Sequence, residues 1–144
     1  MYNKILTPVD GSERSKKAAV HAADLAEKFG AQLTILHVVS SLPSYYINSD
    51  RLSSIQKTLL DEFIKEGQQV LTKIKWDLSK KDVDIKTSLV VGNPADEICK
   101  LAHQESFDLI VMGSRGLGEI KGYIMGSISN RVVRHARCPV LIYR

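Results

Sequence analysis

Apolar residues along this chain gather into five short runs, separated by longer stretches in which they recur every three or four positions. The runs are KILTPV (4–9), QLTILHVV (32–39), IKTSLVV (85–91), DLIVMG (108–113) and PVLIY (139–143). Most are nearly continuous rather than alternating, which predicts strands buried on both faces, as in a parallel sheet with helices above and below. From Ser12 to Phe29, the residues Ala18, Ala22, Leu25, Ala26 and Phe29 keep helical spacing. Ser12 suits the N-cap of that helix, and Gly30 the position just past its end. In NPADEICKLAH, Asn93 caps, Pro94 takes the first helical position, and Ile98, Leu101 and Ala102 face inward. A last helix starts near Gly126 and Ser127 and carries Ile128, Val132 and Val133. The longest stretch, 50–79, carries Leu52, Ile55, Leu59, Phe63, Val70, Leu71, Ile74 and Leu78 at helical spacing. Gly67 interrupts it at a cost of about 1 kcal/mol relative to alanine, so a kink or break is expected there. The preceding residues 40–50 read as a loop with two exposed tyrosines, Tyr45 and Tyr46.

Strands and helices therefore alternate strictly, which predicts a doubly wound α/β sheet. Such a sheet binds ligands beyond the strand C-termini, where the winding reverses. Two strand ends carry unusual residues: the first, at Pro8-Val9-Asp10-Gly11, and the fourth, at Met112-Gly113. A length of 144 residues suits one domain, 1–144. Such a domain buries roughly 70% of its unfolded surface without a staple. The N-terminus lacks an apolar leader, since Asp10 and Glu13 come too early for one. No window approaches the roughly 20 apolar residues of a membrane span. Cys99 and Cys138 have no metal-binding or CxxC spacing and read as two buried thiols of a reducing cytosol rather than a structural disulfide. None of His21, His37, His103 and His135 pairs at a metal-ligand spacing, and His37 reads as a strand-end histidine. The net charge of +4 owes part of its surplus to Arg131, Arg134, His135 and Arg137. Cations there complement a helix C-terminus. With aromatics at only 6% and no accompanying motif, they do not make a nucleic-acid patch.

The chemistry concentrates in VMGSRGLGEIKGYIMGSIS (111–129), which holds five glycines and three serines. Gly113 directly follows a buried strand, where a missing side chain lets a ligand approach the backbone. Gly116 permits a positive φ. Gly126 and Ser127 open a helix, whose unpaired N–H groups and dipole attract anions. The hydroxyls of Ser127 and Ser129 add donors. These are the parts of a phosphate cradle, yet neither GxxxxGK[ST] nor a GxGxxG in the first turn is present.

The spacing Gly113-x2-Gly116-x9-Gly126-Ser127 matches the G-2x-G-9x-G(S/T) signature of the nucleotide-binding branch of the universal stress protein family. KILTPVDGSERS, LTILHVV, VVGNPADEI, DLIVMGSRG and CPVLIYR also resemble that family at matching places, so the likeness covers essentially the whole chain. The resemblance implies a single-domain, five-stranded parallel sheet of order 3-2-1-4-5, with ATP across the ends of strands one and four. It implies that Asp10 contacts the adenosine with Pro8 and Val9 beside it, and that the backbone around Val38 meets the adenine edge. Gly113, Arg115, Gly116, Gly126, Ser127 and Ser129 would hold the phosphates, with Met112 and Ile128 completing the site. No protein metal site is expected; Mg²⁺ would ride on the ATP phosphates. The resemblance also implies a homodimer through the last strand, Val140, Leu141, Ile142 and Tyr143.

The function expected is that of a cytoplasmic, ATP-dependent regulatory stress-response protein acting on a protein partner that the sequence does not identify. The alternatives are a slow ATP hydrolase or phosphotransferase and a cyclic-AMP-binding module on the same fold. The residues offer Arg115 and Lys121 near the loop but no evident base beyond Asp10, so fast phosphoryl transfer is not expected.

Overall fold

The structure, a computed structural model, describes residues 1–41, 50–117 and 125–144. Among these described residues nine elements follow in order: β1 (Lys4–Pro8), α1 (Glu13–Phe29), β2 (Gln32–Ser40), α2 (Asp50–Asp77), β3 (Ile85–Gly92), α3 (Pro94–Gln104), β4 (Leu109–Gly113), α4 (Ser127–His135) and β5 (Val140–Tyr143). All strands pair in parallel, in the order β3-β2-β1-β4-β5. The continuous apolar runs have the expected cause. In β1, Ile5 enters the core on one face of the sheet and Leu6 the core on the other, both without exposure. The first core joins Leu33, Ile35 and Val111 to the alanines of α1 and to Leu71 and Ile74 of α2. The second joins Leu36, Ile110 and Met112 to Ile98 and Ala102 of α3 and Val132 of α4.

Helix ends follow the local chemistry. The Ser12 hydroxyl accepts the Ser15 N–H at 3.2 Å, and Gly30 closes α1 at φ 65°. Asn93 accepts the Asp96 N–H and Pro94 opens α3. In α4 only Val132 is fully buried among the three apolar residues; Ile128 and Val133 remain exposed.

Two features of α2 differ from the periodic reading. Its apolar stripe enters the core only in its second half, where Leu71 and Ile74 are buried, as is Leu78 just past its end, whereas Ile55, Leu59 and Phe63 stay exposed. Twenty-eight helical residues span about 42 Å, against roughly 30 Å for a nine-residue strand, so the helix overruns the sheet. The helix also runs unbroken through Gly67. That glycine is a packing requirement: a Cβ there would lie 2.5 Å from His37 Cδ2 and 3.0 Å from Leu89 Cδ1. The His37 ring cannot easily yield, because its Nδ1 is bonded to the Val9 carbonyl at 2.9 Å. Overpacking costs about 1–3 kcal/mol and exceeds the ~1 kcal/mol gained in helix propensity. Gly67→Ala should therefore lower the urea midpoint, which equilibrium unfolding at constant m-value would show. Tyr45, Tyr46 and Lys121 lie outside the described residues.

The winding reverses between β1 and β4. These strands pair at only two positions, Ile5 with Leu109 and Leu6 with Ile110. Beyond them the buried Thr7 hydroxyl donates to the Val111 carbonyl at 2.9 Å. A crevice opens above this point, where an open α/β sheet binds its ligands. Among the described residues no helix is long and apolar enough to cross a membrane.

Candidate functional site

The site begins with the turn after β1. Gly11 sits at φ 87°, a conformation that side chains disfavour, and this lets the chain double back so that Ser12 can start α1. Asp10 is held from three directions. Its Oδ1 accepts the Ser12 N–H at 2.9 Å, its Oδ2 accepts the Leu117 N–H at 2.8 Å, and its own N–H donates to Ser15 Oγ. The carboxylate thus bridges the first turn to the glycine-rich loop, 107 residues further along the chain. Burial alone pushes the Asp10 carboxyl up. Hydrogen bonds from Ser12, Leu117 and Ser15 together outweigh it and hold the group below the usual carboxylate range.

A depressed carboxyl pKa stabilises the fold above the unfolded-state value and ceases to do so as pH falls through the folded value. Asp10→Asn should therefore flatten the acid limb of stability below pH ~4, as urea midpoints measured from pH 7 to 3 would show.

The glycines of the loop have causes that composition does not reveal. Gly116 does not take the left-handed backbone that its place in the loop suggests; among the described glycines, positive φ falls at Gly11 and Gly30. It is glycine because a Cβ would collide with Asp10 Oδ2. A Cβ at Gly113 would press on Arg14 Cγ at 3.1 Å and on the Arg115 carbonyl at 3.3 Å. Its absence thus lets α1 pack against the end of β4 as well as opening the backbone.

Ser114 ties the neighbouring elements together. Its N–H donates to the Tyr143 carbonyl at 2.9 Å, its carbonyl accepts the Gly126 N–H at 2.8 Å, and its hydroxyl accepts from Arg14 Nη1 at 3.0 Å. The buried Ser129 hydroxyl donates to the Gly113 carbonyl at 3.0 Å. Its proton is therefore committed to the protein, contrary to the expectation that it serves as a further donor to phosphate. These bonds pin the start of α4 beside the end of β4. Within α4 the first N–H to find a helical carbonyl is that of Asn130, bonded to Gly126. The N–H groups of Ser127, Ile128 and Ser129 therefore have no partner inside the helix.

Together these elements enclose a cleft of about 310 Å³. Of the residues singled out in the sequence, Pro8, Val9, Asp10, Val38, Met112, Gly113, Arg115, Gly116, Ile128 and Ser129 line it. Gly126 and Ser127 do not. Gly126 is buried with its N–H given to Ser114, and Ser127 is exposed at the first position of α4. The lining also includes Ser15, His37, Ser40, Pro94, Ile98 and Leu117, which sequence reasoning missed as site residues. His37 holds the Val9 carbonyl and lines the cleft as well.

β2 forms one wall in an unusual way. It pairs with β1 only as far as Leu36, whose carbonyl also takes the Val9 N–H at 2.8 Å. His37–Ser40 continue beyond β1 while still pairing with β3 on the other side. The backbone edge around Val38 that β1 leaves uncovered therefore faces the cleft, and a planar heterocycle could bond to it. No group of three or more His, Cys, Asp or Glu residues suited to a metal occurs among the described residues. Cys99 and Cys138 are free and half-buried, and burial pushes both thiols up.

Comparison with known proteins agrees with this geometry. The universal stress protein family model matches residues 1–144. The universal stress protein YxiE of Bacillus subtilis is 38% identical over 152 aligned positions that cover all of both chains. Among solved structures, the universal stress protein UspA from Lactobacillus plantarum superimposes with a TM-score of 0.91 at 29% identity, covering 99% of this chain and 98% of its own. A universal stress protein in complex with cAMP superimposes at 0.75 and 28% identity, covering 99% and 97%. The order β3-β2-β1-β4-β5, the crevice between β1 and β4 and the end-to-end match lead to one assignment: this chain belongs to the universal stress protein family.

Proposed function

We propose that this protein binds ATP in the cleft between β1 and β4 and acts as a nucleotide-dependent regulatory protein of the cytoplasm. The observation that carries the reading is the meeting of three elements in one cleft: the uncovered edge of β2, the carboxylate of Asp10 and the N-terminal turn of α4. The first suits an adenine edge, the second a ribose hydroxyl and the third an anion. Arg115 lines the same cleft and adds positive charge where phosphates would lie. Bound Mg²⁺ would sit on the phosphates, keeping its waters. The solved relative in complex with cAMP supports an adenine nucleotide in general, and it makes cyclic AMP the second reading.

The residues fit a binding protein better than a fast enzyme. Phosphoryl transfer needs a group that takes a proton from the nucleophile or orients it. Asp10, the carboxylate in the cleft, already accepts two backbone N–H bonds and is less basic than an ordinary aspartate. With Mg²⁺ present we expect one ATP bound per chain, with turnover far below the 1–100 s⁻¹ typical of kinases. Native mass spectrometry and a steady-state phosphate-release assay test this together. Turnover within that range, abolished by Asp10→Ala, would make the protein an enzyme.

The same reading includes a homodimer through β5. This strand pairs with β4 on one side and ends the sheet on the other. An apolar edge of this kind invites pairing with a second copy.

A further inference from the structure

A second cavity, of about 390 Å³, lies across the glycine loop from the nucleotide cleft, at the N-terminal turn of α1 and the end of β5. Arg14, Lys17, Arg115 and Arg144 line it, with Glu13 as the one acidic side chain among the lining residues. That carboxylate is already taken, since Lys16 Nζ lies 2.8 Å from its Oε1. Among the described residues, Arg14, Lys17 and Arg144 have no carboxylate within ion-pair distance, although the charge of Lys17 also acts on Glu13. Arg14 is also oriented: its Nη1 donates to Ser114 Oγ, leaving the rest of the guanidinium fork for another acceptor.

This arrangement runs against the stability of α1. The first turn of a helix favours carboxylates and disfavours cations, because the dipole is positive there. Here the opening residues Glu13, Arg14, Lys16 and Lys17 bring three cations for one acid. Arg115 and Arg144 then add charge of the same sign from two other segments. Like charges converging from three parts of the chain on one concave surface repel one another unless an anion sits among them.

We infer that this cavity is an anion site for a chain of phosphates, distinct from the nucleotide cleft. Arginine forks and a helix N-terminus match phosphate oxygens, and several cations suit a multiply charged chain better than a single carboxylate. The phosphates have two possible sources. One is free inorganic polyphosphate. The other is the far end of a nucleotide seated in the cleft, because Arg115 and Gly116 line both cavities and form the wall between them. Only the second source rests on the nucleotide reading.

The test uses inorganic tripolyphosphate, ATP and adenosine 5′-tetraphosphate on the full chain and on Lys17→Gln with Arg144→Gln. Neither substituted residue lines the cleft. Tripolyphosphate should bind the wild type saturably, and the double variant should lose at least tenfold in that affinity while its ATP affinity changes less than threefold. If adenosine tetraphosphate binds the wild type more tightly than ATP, and the double variant loses that advantage, the phosphates come from the nucleotide. Equal affinities assign the site to free polyphosphate. Tripolyphosphate that fails to bind, that binds the double variant unchanged, or that weakens in step with ATP overturns the inference. A chain that takes tripolyphosphate through Lys17 and Arg144 but ignores ATP would leave this site standing and remove the nucleotide reading.

Discussion

Gly116→Val should weaken ATP binding at least tenfold, about 1.4 kcal/mol, and the effect should pass through Asp10. A Cβ at this position collides with Asp10 Oδ2, the oxygen that accepts the Leu117 N–H. The carboxylate must then swing away, and the loop loses its charge-assisted tie to the first turn, a bond worth about 1.5–3 kcal/mol. Both the group proposed for the ribose and the loop proposed for the phosphates move. The milder Gly116→Ala combined with Asp10→Ala isolates this cause. With the carboxylate gone, the added methyl has room, so the double variant should bind ATP no worse than Asp10→Ala alone. Titration of the four proteins gives the coupling directly. Additive losses would mean that Gly116 acts on the ligand without Asp10.

The second large effect concerns assembly. Pro139 and Tyr143 direct their carbonyls to β4, accepting from Ile110 and Ser114. In a parallel ladder the backbone groups alternate in direction. Val140 and Ile142 therefore turn their N–H and C=O outward, to the open edge. Ile142→Pro removes one outward donor without breaking a bond to β4, and proline is tolerated on an edge strand. In a two-fold dimer the loss occurs twice, leaving an unmatched acceptor each time at about 1–3 kcal/mol. Dimer dissociation should strengthen by about a hundredfold, roughly 2.7 kcal/mol, while the monomer keeps its circular dichroism. Leu141 and Ile142 each pack against one of the two cores, and Leu141→Asp is the less informative variant because it also sets a charge against that core. Sedimentation equilibrium follows both; a wild-type monomer at micromolar concentration would contradict the dimer.

How far the sequence could be read depended on whether the cause of a residue was local. The strands were legible because a strand covered on both faces must be apolar at consecutive positions, as Ile5 and Leu6 are. Helix ends were legible because Ser12, Gly30, Asn93 and Pro94 act on backbone groups within a turn of themselves. Apolar spacing in α2, by contrast, could not reveal where the sheet stops, so Ile55, Leu59 and Phe63 shared one helical pattern with the buried Leu71 and Ile74. The glycines were visible as glycines, but their reasons lie far away in sequence: Gly67 faces His37, Gly113 faces Arg14 and Gly116 faces Asp10. The missed lining residues tell the same story. Ser40 sits on the overhang of β2, and Pro94 and Ile98 arrive from α3. These enter the cleft only through the crossover that lays α3 over that face. Asp10 was legible by its strand-end position, whereas its bond to Leu117 depends on the folded loop.

The central claim is that the cleft between β1 and β4 takes an adenine nucleotide. Calorimetric titration of the purified chain with ATP and Mg²⁺ tests it most directly. The account predicts one site per chain in the micromolar range, about −8 kcal/mol, displaced by adenosine and weakened at least tenfold by Gly116→Val. A folded chain that shows no saturable binding of ATP up to about 1 mM, near −4 kcal/mol, would contradict it.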